Sequence, residues 1–255
     1  MTYAANKPIA SEKVVIIIPT HNEAEVIQTT IQQIFAAVAS AEFCEIHVLI
    51  FDSASTDKTA PAVRALLEHY PRLHLITEPV KSGLGSAYLQ AMNHALHHLG
   101  ADIIFEFDAD LSHQPKYILP MLEQLRSCDC VLGSRYVSGG SIPDNWALQR
   151  KLFSILGNYV ARTALTYQYK DFTSGFRATR REHLLNILPE RFLSNDYAYK
   201  IQLLWLLHKN KAKIMEYPIE FIDRDKGNSK LPKNSIMDSL RVVCTLRFHE
   251  LKRPK

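Results

Sequence analysis

Alternation between apolar runs and helical patterns is the feature that most limits the fold of this chain. Residues 14–18 form a β-branched run that stops at Pro19, and apolar residues then recur at helical spacing from Val26 to Val38. Short, uniformly apolar runs are typical of strands buried on both faces. Since strands and helices alternate up to about residue 135, the sequence predicts an α/β fold with a mostly parallel sheet and right-handed crossovers.

Further strands are predicted at residues 46–51, 73–76, 102–107 and 130–132, with helices between them. After residue 135 the alternation stops. In this second half the apolar spacing predicts helices at 146–167, 196–208 and 235–251 and a strand at 212–216. Residues 223–232 are polar and basic, which is typical of a loop.

Composition excludes several classes of protein. With 22% charged and 47% hydrophobic residues, the chain is neither disordered nor collagen-like. The net charge of +4 fits an anionic small substrate or a membrane surface and is too small to indicate nucleic acid. The four cysteines form no C-x-x-C pair, so we expect reduced thiols in a cytoplasmic protein. Residues 1–13 lack the apolar stretch of a signal peptide, and no apolar run has the length of a membrane-spanning helix.

Polar clusters follow three of the predicted strands, at residues 19–23, 52–57 and 108–113. Open parallel sheets bind ligands at the carboxyl ends of their strands, so these clusters indicate a site at that edge. The strongest local signal is Asp108-Ala109-Asp110, in which two carboxylates flank a small residue. Such hard oxygen ligands suit Mg²⁺ or Mn²⁺ that also binds substrate phosphates. A pair of solvated turn aspartates would have the same sequence.

Two glycines precede the next predicted helix, in the segment Lys81-Ser-Gly83-Leu-Gly85. Glycines there allow backbone N–H groups to approach an anion, helped by the helix dipole. A plain loop is the alternative. In the segment 52–57, Asp52 offers an acceptor to a base or ribose, and Asp57 is equally well explained as a helix cap.

Taken together, these motifs resemble those of inverting family 2 glycosyltransferases with a GT-A fold, a Rossmann-like sheet flanked by helices. Motifs in the second half narrow the resemblance to polyprenyl-phosphate sugar transferases of the dolichyl-phosphate mannosyltransferase type. These motifs are Gly133-Ser-Arg135-Tyr136, Gln149-Arg150-Lys151, Thr173-Ser-Gly175-Phe-Arg177, Pro218-Ile-Glu-Phe-Ile-Asp-Arg224 and Gly227-Asn-Ser229-Lys230. The resemblance covers roughly residues 13–248, with the motifs in order.

The resemblance implies transfer of mannose, with inversion, from GDP-mannose to a polyprenyl (dolichyl) monophosphate, with Mg²⁺ or Mn²⁺ as cofactor. It implies an N-terminal extension at 1–12, a nucleotide-sugar half at 13–135, an acceptor half at 136–232 and a C-terminal segment at 233–255. The expected nucleotide-sugar contacts are Pro19, Thr20, Asn22, Glu23, Asp52, Lys81, Gly83, Asp108, Ala109, Arg224 and Lys230. The expected acceptor-phosphate contacts are Arg135, Arg150 and Ser229, the metal ligands Asp108, Asp110 and Ser112, and the catalytic residues Asp110, Arg135, Arg150 and Arg224.

Elementary chemistry agrees with the basic residues of this set. Two phosphorylated substrates repel each other, and the forked, permanently charged guanidinium of arginine is suited to relieving that repulsion. An acceptor phosphate with a second pKa near 6 is largely dianionic at neutral pH, so the reaction needs no strong general base.

Two positions depart from the family pattern. Ser53 stands where members commonly have a second aspartate, which leaves UDP-glucose or another nucleotide sugar as an alternative donor. Gln202 stands near a position where glutamate is common, so a catalytically silent nucleotide-sugar-binding or scaffold protein is a further alternative.

A lipid-phosphate acceptor requires the protein to reach a membrane surface. Residues 235–251 carry apolar side chains interspersed with Arg241 and Arg247, and a basic tail follows them to Lys255. This segment is a candidate interfacial helix, and packing onto the catalytic domain is the alternative. We expect a peripheral protein at the cytoplasmic face of a membrane, with or without small membrane subunits.

Overall fold

A seven-stranded sheet lies at the centre of the part of the chain that this computed structural model describes, residues 12–143, 146, 148–223 and 234–251. The strands are β1 (Glu12–Thr20), β2 (Cys44–Ser53), β3 (Leu73–Glu78), β4 (Ile103–Glu106), β5 (Cys130–Ser134), β6 (Arg177–Arg180) and β7 (Ile214–Pro218). Their order across the sheet is β3-β2-β1-β4-β6-β5-β7. Neighbouring strands are parallel except at β6, which is antiparallel to both β4 and β5.

Helices pack on both faces of this sheet. They are α1 (Ile27–Val38), α2 (Thr59–Leu66), α3 (Leu84–His97), α4 (Ile118–Gln124), α5 (Leu148–Ala164), α6 (Arg181–Leu185), α7 (Tyr199–Lys209) and α8 (Ser235–Leu251). β1 lies between β2 and β4 and has both faces covered. Val14 and Ile16 pack with α1 in one core cluster, while Val15 and Ile17 pack with α3 in another. This double burial explains why β1 is apolar throughout.

The predicted α/β fold is confirmed, and the six predicted strands are present with shifted ends. β6 was not predicted, because its sequence Arg-Ala-Thr-Arg has no apolar run. Its charges are matched by partners distant in sequence. Arg177 pairs with Glu106 on β4, and Arg180 pairs with Glu12 on β1 at 2.8 Å. A strand held by long-range ion pairs has no periodic signal in its own sequence.

α8 has both a packed face and an exposed one. Val242, Val243 and Leu246 are buried in a core cluster shared with α5 and α7, so the packing alternative is confirmed for this face. Met237 and Phe248 are 67% and 61% exposed. Among the described helices, none is both long enough and apolar enough to span a bilayer.

The four cysteines are free thiols, as predicted, with Cys244 exposed and the others buried. Trp146 and Trp205 are also buried and pack on neighbouring side chains, Trp146 edge-on to Phe221 and Trp205 stacked on His208.

Candidate active site

Two loops at the carboxyl ends of β1 and β2 interlock through hydrogen bonds. The side-chain oxygen of Asn22 accepts the N–H of Thr56 at 2.8 Å, and Asn22 adopts a left-handed φ of 54° that brings the loops together. Further bonds join His21 Nδ1 to Ser53 O at 2.7 Å, the Asn22 N–H to Ser55 Oγ at 2.9 Å, the Glu23 N–H to Thr59 Oγ1 at 2.8 Å and the Ala24 N–H to Asp57 at 3.1 Å. Backbone donors that the strand ends leave unpaired are therefore satisfied between the loops.

Thr20 and Asp52 end their strands side by side, as paired residues of β1 and β2. Thr20 Oγ1 donates to Asp52 Oδ2 at 3.4 Å, and the Ser55 N–H donates to Asp52 Oδ1 at 3.0 Å. Asp57 accepts the N–H of Thr59, the first residue of α2, at 2.9 Å. The N-cap position of α2 is Lys58, which makes no side-chain cap bond, so the predicted cap at Asp57 is displaced by one residue and Asp57 instead bonds the N–H of the first helical residue.

Ser53, the departure from the family pattern, donates a hydrogen bond to Glu78 at the end of β3. The Glu78 carboxylate also accepts from Ser82 and Gln90, which connects β2 and β3 to the loop before α3. Partial burial alone would raise the pKa of Glu78, but these hydrogen bonds outweigh it and lower the pKa below its ordinary value. Glu78 on β3 therefore places a negative charge directly beside Ser53.

Gly83 and Gly85 are required by a close chain crossing. Gly83 has a φ of 97°, and a Cβ on it would lie 2.5 Å from the Asn195 carbonyl oxygen. A Cβ on Gly85 would lie 2.7 Å from the Ser194 oxygen, and the Gly85 N–H donates to Asn195 O at 2.6 Å. This segment thus closes on the loop before α7, a contact that the sequence alone did not indicate. Lys81, two residues before Gly83, is exposed. The predicted contacts of both residues with an anion stay predictions.

Asp108 lies just beyond the end of β4, and two buried side chains orient it. Tyr88 donates to the Phe107 carbonyl at 3.0 Å and to Asp108 Oδ1 at 3.2 Å. His113 Nδ1 accepts the Asp108 N–H at 3.1 Å, so we assign the ring proton to Nε2, which lies 3.5 Å from Asp108 Oδ2. Burial lowers the pKa of His113 well below its ordinary value and keeps the ring neutral.

Asp110 completes the pair of carboxylates. Its Oδ1 accepts the N–H of Ser112 at 3.0 Å across a turn in which Leu111 has a φ of 60°. Both aspartates are partly exposed, whereas Ala109 and Ser112 are buried. A cleft lined by α1 residues and by Asp110, Gln114 and Asp223 opens beside the pair.

These carboxylates fit a divalent metal that is completed by its substrate. In the described ranges, no three His, Cys, Asp or Glu side chains form a metal cluster. Mg²⁺ and similar ions are commonly held by one or two carboxylates together with substrate phosphates and waters. Asp108 and Asp110 supply that number of carboxylates at the predicted edge of the sheet.

Arg135 is held by a buried ion pair. Its Nε and Nη2 donate to the two Asp171 oxygens, each at 2.8 Å, and Nη2 also donates to Thr173 Oγ1 at 2.7 Å. Burial alone would lower the pKa of Arg135, but Asp171 and, more weakly, Asp108 raise it. Within the described residues, Nη1 donates no hydrogen bond.

Comparison with known proteins agrees with this geometry. The model of glycosyl transferase family 2 matches residues 15–188. An undecaprenyl-phosphate mannosyltransferase of Micrococcus luteus is 34% identical over 219 residues, which cover 86% of this chain and 87% of that protein. The chain belongs to glycosyl transferase family 2. It is also 33% identical to the polyprenol monophosphomannose synthase of Mycolicibacterium smegmatis, over 92% of this chain and 86% of that protein.

Solved structures support the GT-A fold of this family 2 glycosyltransferase. Glucosyl-3-phosphoglycerate synthase from Mycobacterium tuberculosis, in complex with Mn²⁺, UDP and glucosyl-3-phosphoglycerate, superposes with a TM-score of 0.65 at 20% identity. The match covers 96% of this chain and 81% of that one. The family and fold that the motifs suggested are therefore confirmed.

Arg177 and Gln202, which belong to or lie near motifs of this glycosyltransferase, make contacts that hold the fold together. Arg177, fully buried, donates to both oxygens of Glu106, at 2.6 and 2.9 Å. Gln202 on α7 is buried, and its side-chain oxygen accepts the Leu193 N–H at 2.7 Å. Arg177 thus fixes the β4–β6 pairing, and Gln202 holds the loop that leads into α7.

Sequence reasoning missed Lys200, Tyr88 and Asp171 as parts of the site, and it gave no role to His113, which ends the predicted cluster 108–113. Lys200 lies two residues before Gln202, and its ammonium is 3.8 Å from Asp108 Oδ2. The available signal for Lys200 was a lysine next to the apolar run of the predicted helix 196–208, whereas Asp171 had no local signal that linked it to Arg135. Of the predicted residues, Arg224, Ser229 and Lys230 lie outside the described residues, as does the side chain of Arg150. Their roles stay predictions.

Proposed function

We propose that this glycosyltransferase moves mannose from GDP-mannose to a polyprenyl monophosphate, with inversion, to give polyprenyl-phosphate-mannose. The observation that carries the proposal is that Asp108, the first carboxylate of the Asp108–Asp110 pair, lies close enough to the Arg135 guanidinium to raise its pKa. The names of the two relatives identify the lipid phosphate and the sugar. A dolichol-phosphate mannosyltransferase of Pyrococcus furiosus, 32% identical over 92% of this chain and 63% of that longer protein, gives the same support.

The proposed reaction is a single in-line displacement at the anomeric carbon of the sugar. A phosphate oxygen of the acceptor forms a bond to that carbon while the bond from the carbon to the donor diphosphate breaks, and the diphosphate leaves with the electron pair. Since the acceptor phosphate is largely dianionic at neutral pH, no side chain needs to remove a proton. The main tasks of the protein are positioning and charge stabilisation.

The described residues are suited to these tasks. Asp171 and Thr173 fix the Arg135 guanidinium, whose Nη1 we assign to the acceptor phosphate. Asp108 and Asp110 would hold a divalent metal, which neutralises charge on the departing diphosphate. His113 and Tyr88 keep Asp108 oriented.

The exposed face of α8 supports peripheral binding to the membrane that carries the acceptor. Ile236, Met237, Leu240 and Phe248 project apolar surface, and the neighbouring α5 exposes Ile155, Leu156 and Tyr159. An exposed apolar face that also carries basic residues such as Arg241 is typical of helices at a membrane surface.

Transfer of radiolabelled sugar from GDP-mannose to a polyprenyl phosphate, with and without Mn²⁺, tests the activity. We expect transfer by the natural protein and a loss of about 10²-fold or more in Asp110→Asn. Glu68→Gln, the same carboxylate-to-amide change at an exposed position, should keep full activity. Transfer from UDP-glucose and none from GDP-mannose would refute the donor assignment. Inactivity with every donor and several lipid phosphates would support a binding or scaffold protein.

Sedimentation with vesicles of anionic lipid tests the membrane proposal. Deletion of α8 would also uncover the core that Val242 and Leu246 close, so a single substitution is the cleaner experiment. Met237→Glu should reduce binding to vesicles. Val80→Glu, at another apolar position that is 74% exposed, should leave binding unchanged. Equal binding of both variants and the natural protein would contradict a role for α8.

A further inference from the structure

Lys200 is a buried cation beside the carboxylates of the site. It is the second residue of α7 and is only 6% exposed, and no other lysine of the described residues is buried. Its ammonium lies 3.8 Å from Asp108 Oδ2 and 5.5 Å from the Tyr197 ring centroid. No hydrogen bond from this ammonium to a described residue is present, although the group has three donors.

Gly175 leaves space that the end of the Lys200 side chain occupies. A Cβ on Gly175 would lie well inside contact distance of Lys200 Cε and Nζ, so the glycine of the Thr173–Arg177 motif makes room for the lysine. Gln202, two residues later on α7, bonds instead to the Leu193 N–H, away from the carboxylates. The helix therefore directs Lys200, and not Gln202, towards Asp108.

Burying an ammonium is unfavourable unless opposite charge and hydrogen bonds compensate it. One carboxylate at 3.8 Å gives charge compensation without satisfying the donors. The charge also lies in the first turn of α7, where the partial positive charge of the helix favours anions and not cations. An anion beside Asp108 would compensate both the lysine and the helix end.

We propose that the Lys200 ammonium binds the diphosphate of the nucleotide-sugar donor. The inference rests on the proposed function, since it assigns the donor to the Asp108 side of the site. Arg135 is largely neutralised by Asp171, whereas Lys200 supplies a buried positive charge beside Asp108. It stabilises the leaving diphosphate together with the metal and retains part of the donor affinity when metal is removed.

Calorimetric titration with GDP, in EDTA and in Mn²⁺, tests the assignment. Lys200→Gln should weaken GDP binding at least tenfold in EDTA, and Lys200→Arg should recover most of the loss because it restores the charge. Lys209→Gln, the same change at an exposed position on α7, should match the natural protein. Guanosine, which lacks phosphates, should bind the natural protein and Lys200→Gln equally in ligand-observed NMR.

Gly175→Ala tests the same assignment without replacing Lys200. The added methyl should displace the ammonium and weaken GDP binding in the same direction, and adding Lys200→Gln to it should cause little further loss. Urea unfolding of each variant reports any general damage to the fold. Unchanged GDP affinity in Lys200→Gln, or an equal loss for GDP and guanosine, would overturn the assignment.

Three outcomes separate this inference from the proposed function. If the natural protein binds UDP in place of GDP, the donor is wrong, and the same variants tested with UDP and uridine decide the role of Lys200. If it binds neither diphosphate, both proposals fail. If Lys200→Gln raises only the KM for polyprenyl phosphate, the lysine serves the acceptor, and the diphosphate assignment is wrong while the proposed function stands.

Discussion

The two halves of the sheet hold their site residues by different forces. At the ends of β1 and β2, the loops are joined mainly by backbone N–H groups that donate to side-chain oxygens, as between Asn22 and Thr56. Around β4, β5 and β6, buried ion pairs do this work, with Arg177 on Glu106 and Arg135 on Asp171. Neutral hydrogen bonds contribute about 1 kcal/mol each, whereas a buried charge that loses its partner costs several times more. The first half should therefore lose stability in small steps and the second half in large ones.

The largest effect is expected at the Glu106–Arg177 pair. Glu106→Gln leaves the Arg177 guanidinium buried without its counter-charge and should lower the free energy of unfolding by about 3–5 kcal/mol. Burial alone would lower the pKa of Arg177, and Glu106 raises it in the natural protein. Because a guanidinium is not deprotonated in proteins, the arginine stays charged in the variant. Urea unfolding measures the loss.

Glu220→Gln is the matched control for this prediction. Glu220 pairs with Lys116 at 3.3 Å, but both side chains are more than half exposed. Exposed pairs contribute less than about 1 kcal/mol, so this variant should unfold nearly as the natural protein does. Similar losses in the two variants would contradict the contrast between buried and exposed pairs.

The difference between local hydrogen bonds and long-range ion pairs explains how much of the fold and the site could be predicted from the sequence. Strands such as β1 and loops such as 108–113 have local signals, an apolar run or a motif of a few residues. The partners Asp171 and Glu106, and the approach of Lys200 to Asp108, depend on residues that are 36, 71 and 92 positions apart. No periodicity connects such positions, so the sequence predicted Arg135 as a functional residue but not the acid that holds it.

A smaller effect is expected from Arg135→Lys. Lysine cannot reproduce the two parallel bonds to Asp171, and loss of one charge-assisted bond should cost about 1.5–3 kcal/mol. Under the proposed function, the KM for polyprenyl phosphate should rise about tenfold while the KM for GDP-mannose changes little. Arg126→Lys, at an exposed pair with Glu123, should change neither. A selective rise in the KM for GDP-mannose would show that Arg135 contacts the donor and would contradict its assignment to the acceptor phosphate.

Restoring the common family residue at position 53 should be harmful. Ser53→Asp places a second carboxylate against Glu78, which Ser53 now serves as a donor. Like charges disfavour each other's ionised form, so we expect a loss of about 1–2 kcal/mol in the free energy of unfolding. Ser53→Asp combined with Glu78→Gln should recover most of this loss. Equal stability of the single and double variants would show that Glu78 is not the reason for serine at this position.

The smallest effect is expected in the pH dependence of the free energy of unfolding, through histidines in the half of the sheet that contains β2 and β3. His47 Nδ1 lies 2.8 Å from His74 Nε2, and Glu45 lies 2.9 Å from His47 Nε2. Burial, then His47, His94 and Lys13, lower the pKa of His74, and burial followed by His98 lowers the pKa of His94.

A histidine whose pKa is lowered on folding binds its proton more readily in the unfolded chain. Its stabilising effect is therefore complete above the ordinary pKa of 6.5 and is lost as the pH falls below that value. Urea unfolding between pH 7.5 and 5 should show this decline, since aspartates and glutamates titrate mostly below this window. His74→Gln combined with His94→Gln should make the free energy of unfolding less dependent on pH. His113 is present in both the natural protein and this double variant, so its contribution does not affect the difference between them. An identical slope in the two proteins would mean that protonation of these two rings does not affect the stability of the protein.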